Sequence, residues 1–363
     1  MKKVILNIYS LRNGGAERVM AILANHLISK GYEVYILTIE NVKSGYDISS
    51  DAKLINLGLK TKNFGFFSSA KKFFHRIKLI HNKFVEIKPD LCISFMTETN
   101  IMSLIAGKLS NVPVIVSERT NPLKHRVPRV YSFLRRSLYS HASEVVLQTD
   151  GVLKIYQKTF KIKNLQLIPN PIRIKDFMPS EKITEKTILS VGRLSQEKGH
   201  QLLINAFAIS DAVGLGWKLV IVGSGPMENS LLEQVKRLKL TDYVEFKGRS
   251  YNVYEYLREA GMFVLPSYYE GFPNALMEAL AVGVPSISAD CDFGPSDLIQ
   301  GGLNGFLVET GNVFDLKEKI NILLNNDSIR SRFRVEGPKS MRKFDSVLIM
   351  HKWECLINKT ILK

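Results

Sequence analysis

The stretch Tyr269–Pro285, YEGFPNALMEALAVGVP, decides the predicted fold. It follows a short apolar run that predicts a strand, Gly261–Pro266, and its own apolar residues have the spacing of a helix that begins near Pro273. Glu270 lies in the turn before this helix, and Glu278 lies eight positions later, more than two turns along it. Because a helix N-terminus attracts anions, the stretch predicts an anion site beside Glu270; the alternative is an ordinary capped helix with two acidic residues.

Length and composition predict a globular protein of two domains. The chain has 363 residues, of which 45% are hydrophobic and 23% charged. It contains neither a signal peptide nor an uncharged apolar run of about 18 residues, so we expect a cytoplasmic protein. Its cysteines, Cys92, Cys291 and Cys355, lie too far apart for a disulfide framework or a metal site and are predicted to be core thiols.

Positive charge is concentrated in the first half of the chain. The formal net charge is +16. Residues 1–178 carry 28 Lys and Arg against 12 Asp and Glu, whereas residues 179–363 carry 22 of each. Such an asymmetry is typical of a surface for an anionic partner, which is either nucleic acid or an acidic membrane.

A glycine loop near the start joins a predicted strand to a predicted helix. Val4–Ser10 has the pattern of a buried strand, and Gly14 and Gly15 follow it in a loop that opens the helix. The next predicted strand is Val34–Thr38. A unit of this kind can present a helix N-terminus to a phosphate, although the loop lacks the full G-x-G-x-x-G spacing of a dinucleotide site. The alternative is that the two glycines only form a tight turn.

Two basic segments follow. Thr61–Lys88 carries seven Lys and Arg against one acid, Glu86, and its apolar residues recur every three or four positions, which predicts a basic amphipathic helix. Residues 119–143 contain no acid, and their basic residues alternate with aromatic and aliphatic ones. Both segments fit an anionic surface. The alternative for Thr61–Lys88 is an ordinary surface helix whose Phe stripe packs on the core.

The remaining strands of the first half end at a proline-bracketed segment. The predicted strands are Leu91–Phe95, Val112–Ser117, Glu144–Gln148 and Leu165–Ile168. Pro169–Pro171 then breaks the series at the point where the net charge also changes, and this predicts a domain boundary.

The second half repeats the alternation of strands and helices. The predicted strand Thr187–Val191 runs into the loop Gly192–Gly199, in which Arg193 and Lys198 lie five positions apart. Arg as a planar fork and Lys as a point charge can together clamp a diphosphate. Two solvated loop cations are the alternative.

Further loops follow the later strands of this half. Gly223–Pro226 and Gly248–Tyr251 each come directly after a predicted strand, as does the stretch that begins at Tyr269. All strands of a parallel sheet end at the same rim, so we expect these loops to converge in space despite their separation in sequence.

The last part of the chain contains a D-x-D pair and a predicted terminal helix. Asp290 and Asp292 have a spacing that can hold Mg²⁺ or Mn²⁺ against a nucleotide diphosphate, but a short acidic tripeptide is also common in loops. Ser346–Leu362 is predicted as a helix with Val347, Met350 and Trp353 on one face.

Together, these motifs resemble those of the retaining, nucleotide-sugar-dependent glycosyltransferases of the GT-B fold that carry an E-x7-E motif. The matching segments are GGAERVMAILANHLISKGYEV (14–34), IPNPI (168–172), VGRLSQEKG (191–199), VGSGP (222–226), YEGFPNALMEALAVGVPSISAD (269–290) and GPSDLIQGGLNGFLV (294–308). SFMTETN (94–100) and SERTNP (117–122) look like the branch that builds bacterial surface polysaccharides on a polyprenyl-diphosphate lipid.

The resemblance implies an α/β protein of the GT-B fold. Two Rossmann-like, doubly wound domains are expected to face each other across a cleft, and a C-terminal helix is expected to cross back to the first domain. The implied domains are residues 1–170, which bind the acceptor and face the membrane and are joined by the helix at about 346–363, and residues 171–345, which bind the nucleotide sugar.

The resemblance also implies roles for single residues. Arg193 and Lys198 match residues that hold the diphosphate and, with Glu270, which matches a residue that contacts the donor sugar, form the implied catalytic set. Glu278 matches the residue that holds the ribose hydroxyls. The other implied donor-binding residues are Gly14, Gly15, Gly225, Arg249, Gly271, Phe272, Pro273 and Asn274. Neither a metal nor a cofactor is expected, because the resemblance argues against a metal at the D-x-D pair.

One departure from the family concerns a histidine. Many relatives have a His near the donor sugar, after the strand that matches Val112–Ser117, whereas this chain has Glu118 and Arg119 there and His125 several residues on. No catalytic His is therefore assigned. By position, Arg119 or Glu118 takes its place as a hypothesis.

The sequence thus predicts a metal-independent, retaining glycosyltransferase at the cytoplasmic face of the membrane. It is expected to move a hexose or N-acetylhexosamine from a nucleotide diphosphate, UDP rather than GDP, to a lipid-linked glycan. Contact with an anionic membrane through the basic half is expected, and nucleic acid is not expected as a partner. The alternatives are a sugar-nucleotide epimerase or phosphorylase on the same fold and a nucleic-acid-binding protein.

Overall fold

The chain forms two compact units. The computed structural model describes residues 1–12, 14–42, 44–58, 66–124, 128–174, 186–250 and 252–362. The first unit comprises Met1–Pro171 and Ser346–Lys363, and the second comprises Ile172–Asp345. The first unit thus ends one residue after the predicted end of the first domain.

A parallel sheet of seven strands forms the centre of the first unit, in the order β3-β2-β1-β4-β5-β6-β7. Its strands are β1 (Lys3–Ile8), β2 (Glu33–Thr38), β3 (Lys53–Asn56), β4 (Leu91–Phe95), β5 (Val114–Ser117), β6 (Glu144–Leu147) and β7 (Leu165–Leu167). β4, β5 and β6 are buried at every position, as expected of strands in a parallel sheet that is covered on both faces. The prediction misses β3 because this edge strand is mostly exposed and has no continuous apolar run.

Besides a C-terminal helix, the first unit contains helices that alternate with its strands. They are α1 (Gly15–Ser29), α2 (Phe66–Ile87), α3 (Thr97–Ser110), α4 (Arg129–Leu138) and α5 (Asp150–Lys158). The second half of α2 packs on the core through Ile77, Ile80 and Phe84. Phe74, earlier in the same stripe, is 68% exposed. The predicted start of this helix, residues 61–65, lies outside the described residues.

The second unit is built on a six-stranded parallel sheet in the order β10-β9-β8-β11-β12-β13. Its strands are β8 (Thr187–Val191), β9 (Lys218–Val222), β10 (Val244–Phe246), β11 (Met262–Leu265), β12 (Ser286–Ala289) and β13 (Phe306–Val308). Its helices are α6 (His200–Ala208), α7 (Glu228–Arg237), α8 (Val253–Glu259), α9 (Asn274–Val282), α10 (Pro295–Leu298), α11 (Val313–Asn325) and α12 (Asp327–Met341). The prediction of two Rossmann-like α/β domains is confirmed.

The C-terminal helix α13 (Ser346–Ile361) belongs to the first unit. Trp353 is fully buried and stacks on Phe95 of β4, with ring centroids 6.0 Å apart. Tyr32, which follows α1, donates a hydrogen bond from its hydroxyl to Asn358 Oδ1 at 2.6 Å. Val347, which was predicted on the buried face, is exposed because α13 begins to contact the core only at its fourth residue, Ile349.

In each sheet the order of the strands reverses at one point. In the first sheet, β2 lies on one side of β1 and β4 on the other; in the second sheet, β9 lies on one side of β8 and β11 on the other. Open parallel sheets bind ligands outside the carboxyl ends of their strands at such a switch point. The ends of β1 and β4, and those of β8 and β11, are therefore the places to look for sites.

Candidate active site

The loops at the carboxyl end of the second sheet are joined through their backbones. Gly223, after β9, donates a backbone hydrogen bond to the carbonyl of Gly248, after β10, at 2.7 Å. Tyr268, after β11, donates to the carbonyl of Glu197, after β8, at 2.8 Å. The predicted convergence of these loops is confirmed.

Two glycines are needed for these loops to approach so closely. Gly223 has φ 153°, and a Cβ on it would lie 1.8 Å from the carbonyl oxygen of Gly192. Gly199 has φ 68°, and a Cβ there would lie 2.1 Å from the carbonyl oxygen of Pro266. Any other residue would both strain the backbone and push the loops apart.

Lys198 and Glu270 form an ion pair at the switch point of the second sheet. Lys198 Nζ lies 2.6 Å from Glu270 Oε1, and the side chains are 24% and 8% exposed. Ser267 donates a hydrogen bond from Oγ to the same carboxylate oxygen at 2.7 Å. A buried carboxylate needs polar partners, so these two donors hold Glu270 in the loop after β11. Sequence reasoning named both charged residues but neither their contact nor Ser267.

The other predicted charged residues of this unit lie on the same rim or on α9. Arg193 is exposed in the loop after β8, and its guanidinium forms no ion pair within the described part of the chain. Arg249 is exposed in the loop after β10. Gly225 packs against the backbone of the loop after β8. Glu278 is 9% exposed in the second turn of α9.

The turn between Glu270 and α9 leads into a helix N-terminus without a side-chain cap. Pro273 is the residue before the first helical residue, Asn274, and no side chain accepts a hydrogen bond there. This end of the helix therefore has no side-chain cap that would compete with an anion. Phe272 anchors the turn by packing edge-on against Phe344, with ring centroids 5.7 Å apart, and Gly271 precedes it.

His200 is a residue of this region that sequence reasoning missed. It is the first residue of α6 and is 3% exposed. Neither ring nitrogen has a hydrogen-bond partner of good geometry among the described residues, although the backbone of Arg193 and Gly192 partly opposes the lowering of its pKa. Burial and, secondarily, the charge of Lys198 lower the pKa of His200 to about 4. The ring is therefore neutral near pH 7. The only sequence signal for it is its position directly after Gly199.

The D-x-D segment lies on the same rim. Asp290 and Asp292 are exposed, whereas Cys291 between them is buried. Burial and the charge of Glu270 raise the pKa of the Cys291 thiol to about 12. Across the described ranges, no three His, Cys, Asp or Glu side chains are grouped so that they could hold a metal ion. The absence of a metal remains a prediction.

The glycine loop of the first unit leads into α1 as predicted. Gly14 is the N-cap residue and Gly15 the first helical residue. The carboxylate of Glu17, three residues after Gly14, folds back on it, so that a Cβ on Gly14 would lie 2.3 Å from Glu17 Oε2. The N-terminal end of α1, where a phosphate was predicted, thus already carries an acidic side chain at the spacing of a capping box. Asn13 of this loop lies outside the described residues.

Glu118, after β5, points into the first unit. It is 2% exposed and accepts hydrogen bonds from Thr97 Oγ1 at 3.0 Å, from Asn100 Nδ2 at 3.4 Å and from the hydroxyl of Tyr139. These donors satisfy the carboxylate inside the unit.

Arg119 is also buried. Its Nη1 donates to Asn170 Oδ1 at 2.7 Å, and the guanidinium lies 4.5 Å from the ring centroid of Phe95 and 5.7 Å from that of Trp353. Burial lowers the pKa of Arg119 to about 9. These contacts give both residues a structural role in the first unit. Their substitution for the family's His stays a prediction, and His125 lies outside the described residues.

The chain matches two protein-family models, one in its first half and one in its second half. Glycosyltransferase Family 4 matches residues 13–176, and Glycosyl transferases group 1 matches residues 173–340.

Curated relatives match along nearly the whole chain. The chain is 31% identical, over 98% of its length and 98% of the relative, to a GalNAc-α-(1→4)-GalNAc-α-(1→3)-diNAcBac-PP-undecaprenol α-1,4-N-acetyl-D-galactosaminyltransferase of Campylobacter jejuni. It is 29% identical, over 96% of its length and 97% of the relative, to the N-acetylgalactosamine-N,N'-diacetylbacillosaminyl-diphospho-undecaprenol 4-α-N-acetylgalactosaminyltransferase of the same organism. Among solved structures, a TarM variant of Staphylococcus aureus in complex with fondaparinux, α-GlcNAc-glycerol and UDP superposes with a TM-score of 0.82 at 16% identity, covering 99% of this chain and 100% of TarM. The match to TarM shows that the two proteins share a fold.

Proposed function

The chain belongs to the glycosyltransferases, as its 31% identity to a relative over 98% of its length shows, and from this we propose that it moves a hexose or N-acetylhexosamine from a nucleotide diphosphate sugar to a lipid-linked glycan with retention of configuration. The names of the two Campylobacter relatives, which act on undecaprenyl-diphosphate-linked saccharides, support an acceptor of this class. We propose that the transfer serves bacterial surface polysaccharide synthesis. The UDP in the TarM complex supports UDP rather than GDP as the nucleotide.

The ion pair between Lys198 and Glu270 is the observation that carries this proposal. It places a cation and a carboxylate together at the switch point, close in sequence to the uncapped N-terminus of α9. In our proposal the donor diphosphate binds Lys198, Arg193 and the first N–H groups of α9. Glu270, released from Lys198 as the diphosphate arrives, accepts hydrogen bonds from the donor sugar. Glu278 takes the ribose hydroxyls.

The chemistry we propose is a substitution on one face of the sugar. The bond from the anomeric carbon to the diphosphate oxygen breaks through an oxocarbenium-like state, and the acceptor hydroxyl oxygen bonds to that carbon from the same face. The acceptor proton passes to the leaving diphosphate oxygen. Two cations and a helix N-terminus stabilise the negative charge that develops on this oxygen, so no metal or cofactor is invoked.

A donor screen followed by a product assay tests the proposal. We expect UDP sugars to raise the unfolding temperature more than GDP sugars, since a ligand that binds only the folded state stabilises it. With the best donor, transfer to an undecaprenyl-diphosphate-linked saccharide should yield an α-linked product. Lys198→Ala should lower the transfer rate by at least about 100-fold, and Lys236→Ala, on α7, serves as its control.

Two results would contradict the proposed glycosyl transfer. One is that no UDP or GDP sugar is hydrolysed or transferred. The other is that the product is an epimerised nucleotide sugar or a sugar phosphate, which would identify an epimerase or a phosphorylase on the same fold.

We also propose that the first unit rests on the inner face of an anionic membrane. Among the described residues, no helix is both long enough and apolar enough to cross a bilayer. Phe73 of α2 packs edge-on against Tyr131 of α4, with ring centroids 5.6 Å apart, so the two helices are in contact. The α2–α4 patch consists of Lys71, Phe74, Lys78, Arg129, Val130, Phe133 and Arg136, all exposed. Basic residues around exposed apolar ones are typical of membrane-surface binding.

Vesicle binding tests the membrane contact. Phe74 and Phe133 are 68% and 69% exposed, so Ser at both positions removes apolar surface without disturbing the core. We expect this double variant to bind phosphatidylglycerol vesicles at least about tenfold more weakly than the wild type. Phe314→Ser is the matched control, since Phe314 is 71% exposed on α11 of the second unit. Binding to duplex DNA in preference to vesicles, or no effect of the double variant, would contradict the proposal.

A further inference from the structure

Both cations that we propose to bind the donor diphosphate lie at the ends of one loop, residues 192–199 between β8 and α6. Arg193 is the second residue of this loop, and Lys198 is its last but one. The distance between the two cations therefore depends on how the two ends of the loop are held. His200, the first residue of α6, directly follows the loop.

The ring of His200 lies against the start of the loop. A Cβ on Gly192 would lie 3.7 Å from His200 Nε2 and 3.6 Å from Lys198 Cδ. The imidazole and the lysine stem thus border the same residue, which is the one before Arg193. His200 is joined to the end of the loop through the chain and faces its start with its side chain.

The ring has little freedom to move. It is 3% exposed, and the cavity beside it has a volume of only about 10 Å³. Met227 and Leu231, at the start of α7, and Tyr268, in the loop after β11, line this cavity together with His200. For the ring to leave the loop, these elements of the second unit would have to move apart.

Packing does not explain the nitrogen atoms of the ring. Neither has a hydrogen-bond partner of good geometry among the described residues, and buried polar groups in folded proteins are nearly always hydrogen-bonded. A phenyl ring would fill the same place without burying an unpaired polar atom. The backbone of Arg193 and Gly192 is close enough to oppose the lowering of the His200 pKa, so it is within reach of an N–H of the ring.

We propose that His200 is a positioning residue for the donor diphosphate: when the donor binds, Nε2–H donates a hydrogen bond to a carbonyl of the Gly192–Arg193 backbone and fixes Arg193 relative to Lys198. This inference rests on the proposed function, since it concerns the diphosphate site of the donor. In the free protein the ring and the start of the loop lie side by side without that bond. Closure of the loop on the diphosphate forms the bond, which then stabilises the closed loop.

This role predicts an effect on the phosphates and none on the nucleoside. Arg193 is exposed, so only the backbone of its loop holds it in place. A diphosphate has to reach two cations, and cations held at a fixed separation lose less conformational freedom when it binds. Uridine has no phosphate and does not use them. The ratio of the affinities for UDP and uridine therefore reports on the loop and not on the general stability of the unit.

Calorimetric titration with UDP and with uridine tests this role. We expect the wild type to bind UDP at least about 100-fold more tightly than uridine. His200→Phe should reduce this ratio at least about tenfold, through weaker binding of UDP alone. His200→Gln, whose amide nitrogen can take the place of Nε2 and donate, should keep the ratio within about threefold of the wild type.

Two measurements separate positioning from a loss of structure. Ile204→Val, at a fully buried position of the same helix, removes apolar contacts and should lower the unfolding temperature while it keeps the wild-type ratio. His200→Phe should unfold at or above the wild-type temperature at pH 7.5, because it removes two buried nitrogen atoms that lack good partners.

Three outcomes would contradict the inference. An unchanged ratio in His200→Phe, or an equal loss in His200→Phe and His200→Gln, would overturn it and leave the proposed function standing. Wild-type protein that binds neither UDP nor GDP more tightly than the nucleoside would overturn both the inference and the proposed donor site.

Discussion

At the scale of single residues, an ion pair fixes two side chains of the proposed donor site. Glu270 is buried, and its Oε1 receives both Lys198 Nζ at 2.6 Å and the hydroxyl of Ser267 at 2.7 Å. Removing one partner of a buried ion pair leaves an uncompensated charge, which costs far more than an exposed pair contributes. In the free protein the pair therefore keeps both side chains in place.

His200 leads to a prediction about pH and stability. Its pKa is about 4 in the folded protein and about 6.5 in an unfolded chain, so between these values the unfolded state binds more protons. The contribution of His200 to the free energy of unfolding is fully present above pH 6.5 and is lost as the pH falls towards 4. Between pH 7.5 and pH 5 we expect the free energy of unfolding of the wild type to fall by about 2 kcal/mol more than that of His200→Phe.

Urea unfolding of the second unit at the two pH values measures this loss. The fluorescence of Trp217, a residue of that unit, can follow it in a Trp353→Phe background. His141→Gln, at an exposed site in the first unit, is the control and should behave as the wild type. Equal losses in the wild type and His200→Phe would show that the buried ring does not resist protonation.

At the scale of elements, the site is made by the ends of strands and the starts of helices. The loop after β8 supplies Arg193 and Lys198, and the loop after β11 supplies Glu270 and leads into α9. Because parallel strands end at one rim, loops about 70 residues apart in sequence come into contact. Their contact depends on glycine where the backbones meet.

A comparison of two glycines with similar backbone angles distinguishes the effect of a steric contact from that of backbone strain. Gly199 has φ 68° and would place a Cβ 2.1 Å from the carbonyl oxygen of Pro266, whereas Gly216 has φ 72° and nothing within 4 Å. We expect Gly216→Ala to destabilise the second unit by about 1 kcal/mol and Gly199→Ala by at least about 3 kcal/mol. Denaturant unfolding measures both. Equal effects would mean that the loops can move apart without cost.

At the scale of the whole molecule, each unit has its own hydrophobic core and its own tryptophan. The chain contains two tryptophans. Trp353 of α13 lies in the core of the first unit, and Trp217 lies in that of the second. Single Trp→Phe variants therefore leave one fluorescent reporter in each unit.

These reporters test where the donor binds. If the second unit binds the nucleotide, UDP should raise the unfolding temperature reported by Trp217 in Trp353→Phe more than that reported by Trp353 in Trp217→Phe. A shift of several degrees at saturating UDP is expected from a binding energy of about 3 kcal/mol. A larger shift in the Trp353 signal would place the nucleotide in the first unit.

Several features could be predicted because they depend on short stretches of chain. Strand and helix periodicity, turn glycines and loop cations are local, so the two α/β units, the start of α9 near Pro273 and the charged residues of the rim follow from sequence. The edge strand β3 could not be predicted, because an exposed edge carries no continuous apolar run. The sequence also could not show which residues of the apolar stripe of α2 pack on the core and that Phe74 is exposed.

By itself, then, the sequence determined the fold, the family motifs and the residue types at the rim, since backbone propensity and hydrophobic pattern act over a few residues. Only the tertiary structure decided which side chains meet. It paired Lys198 with Glu270 across 72 positions, buried His200 and placed Arg119 against the rings of Phe95 and Trp353. The physical reason is that burial and pairing depend on how distant elements pack, and the free energy of a charge depends on that packing.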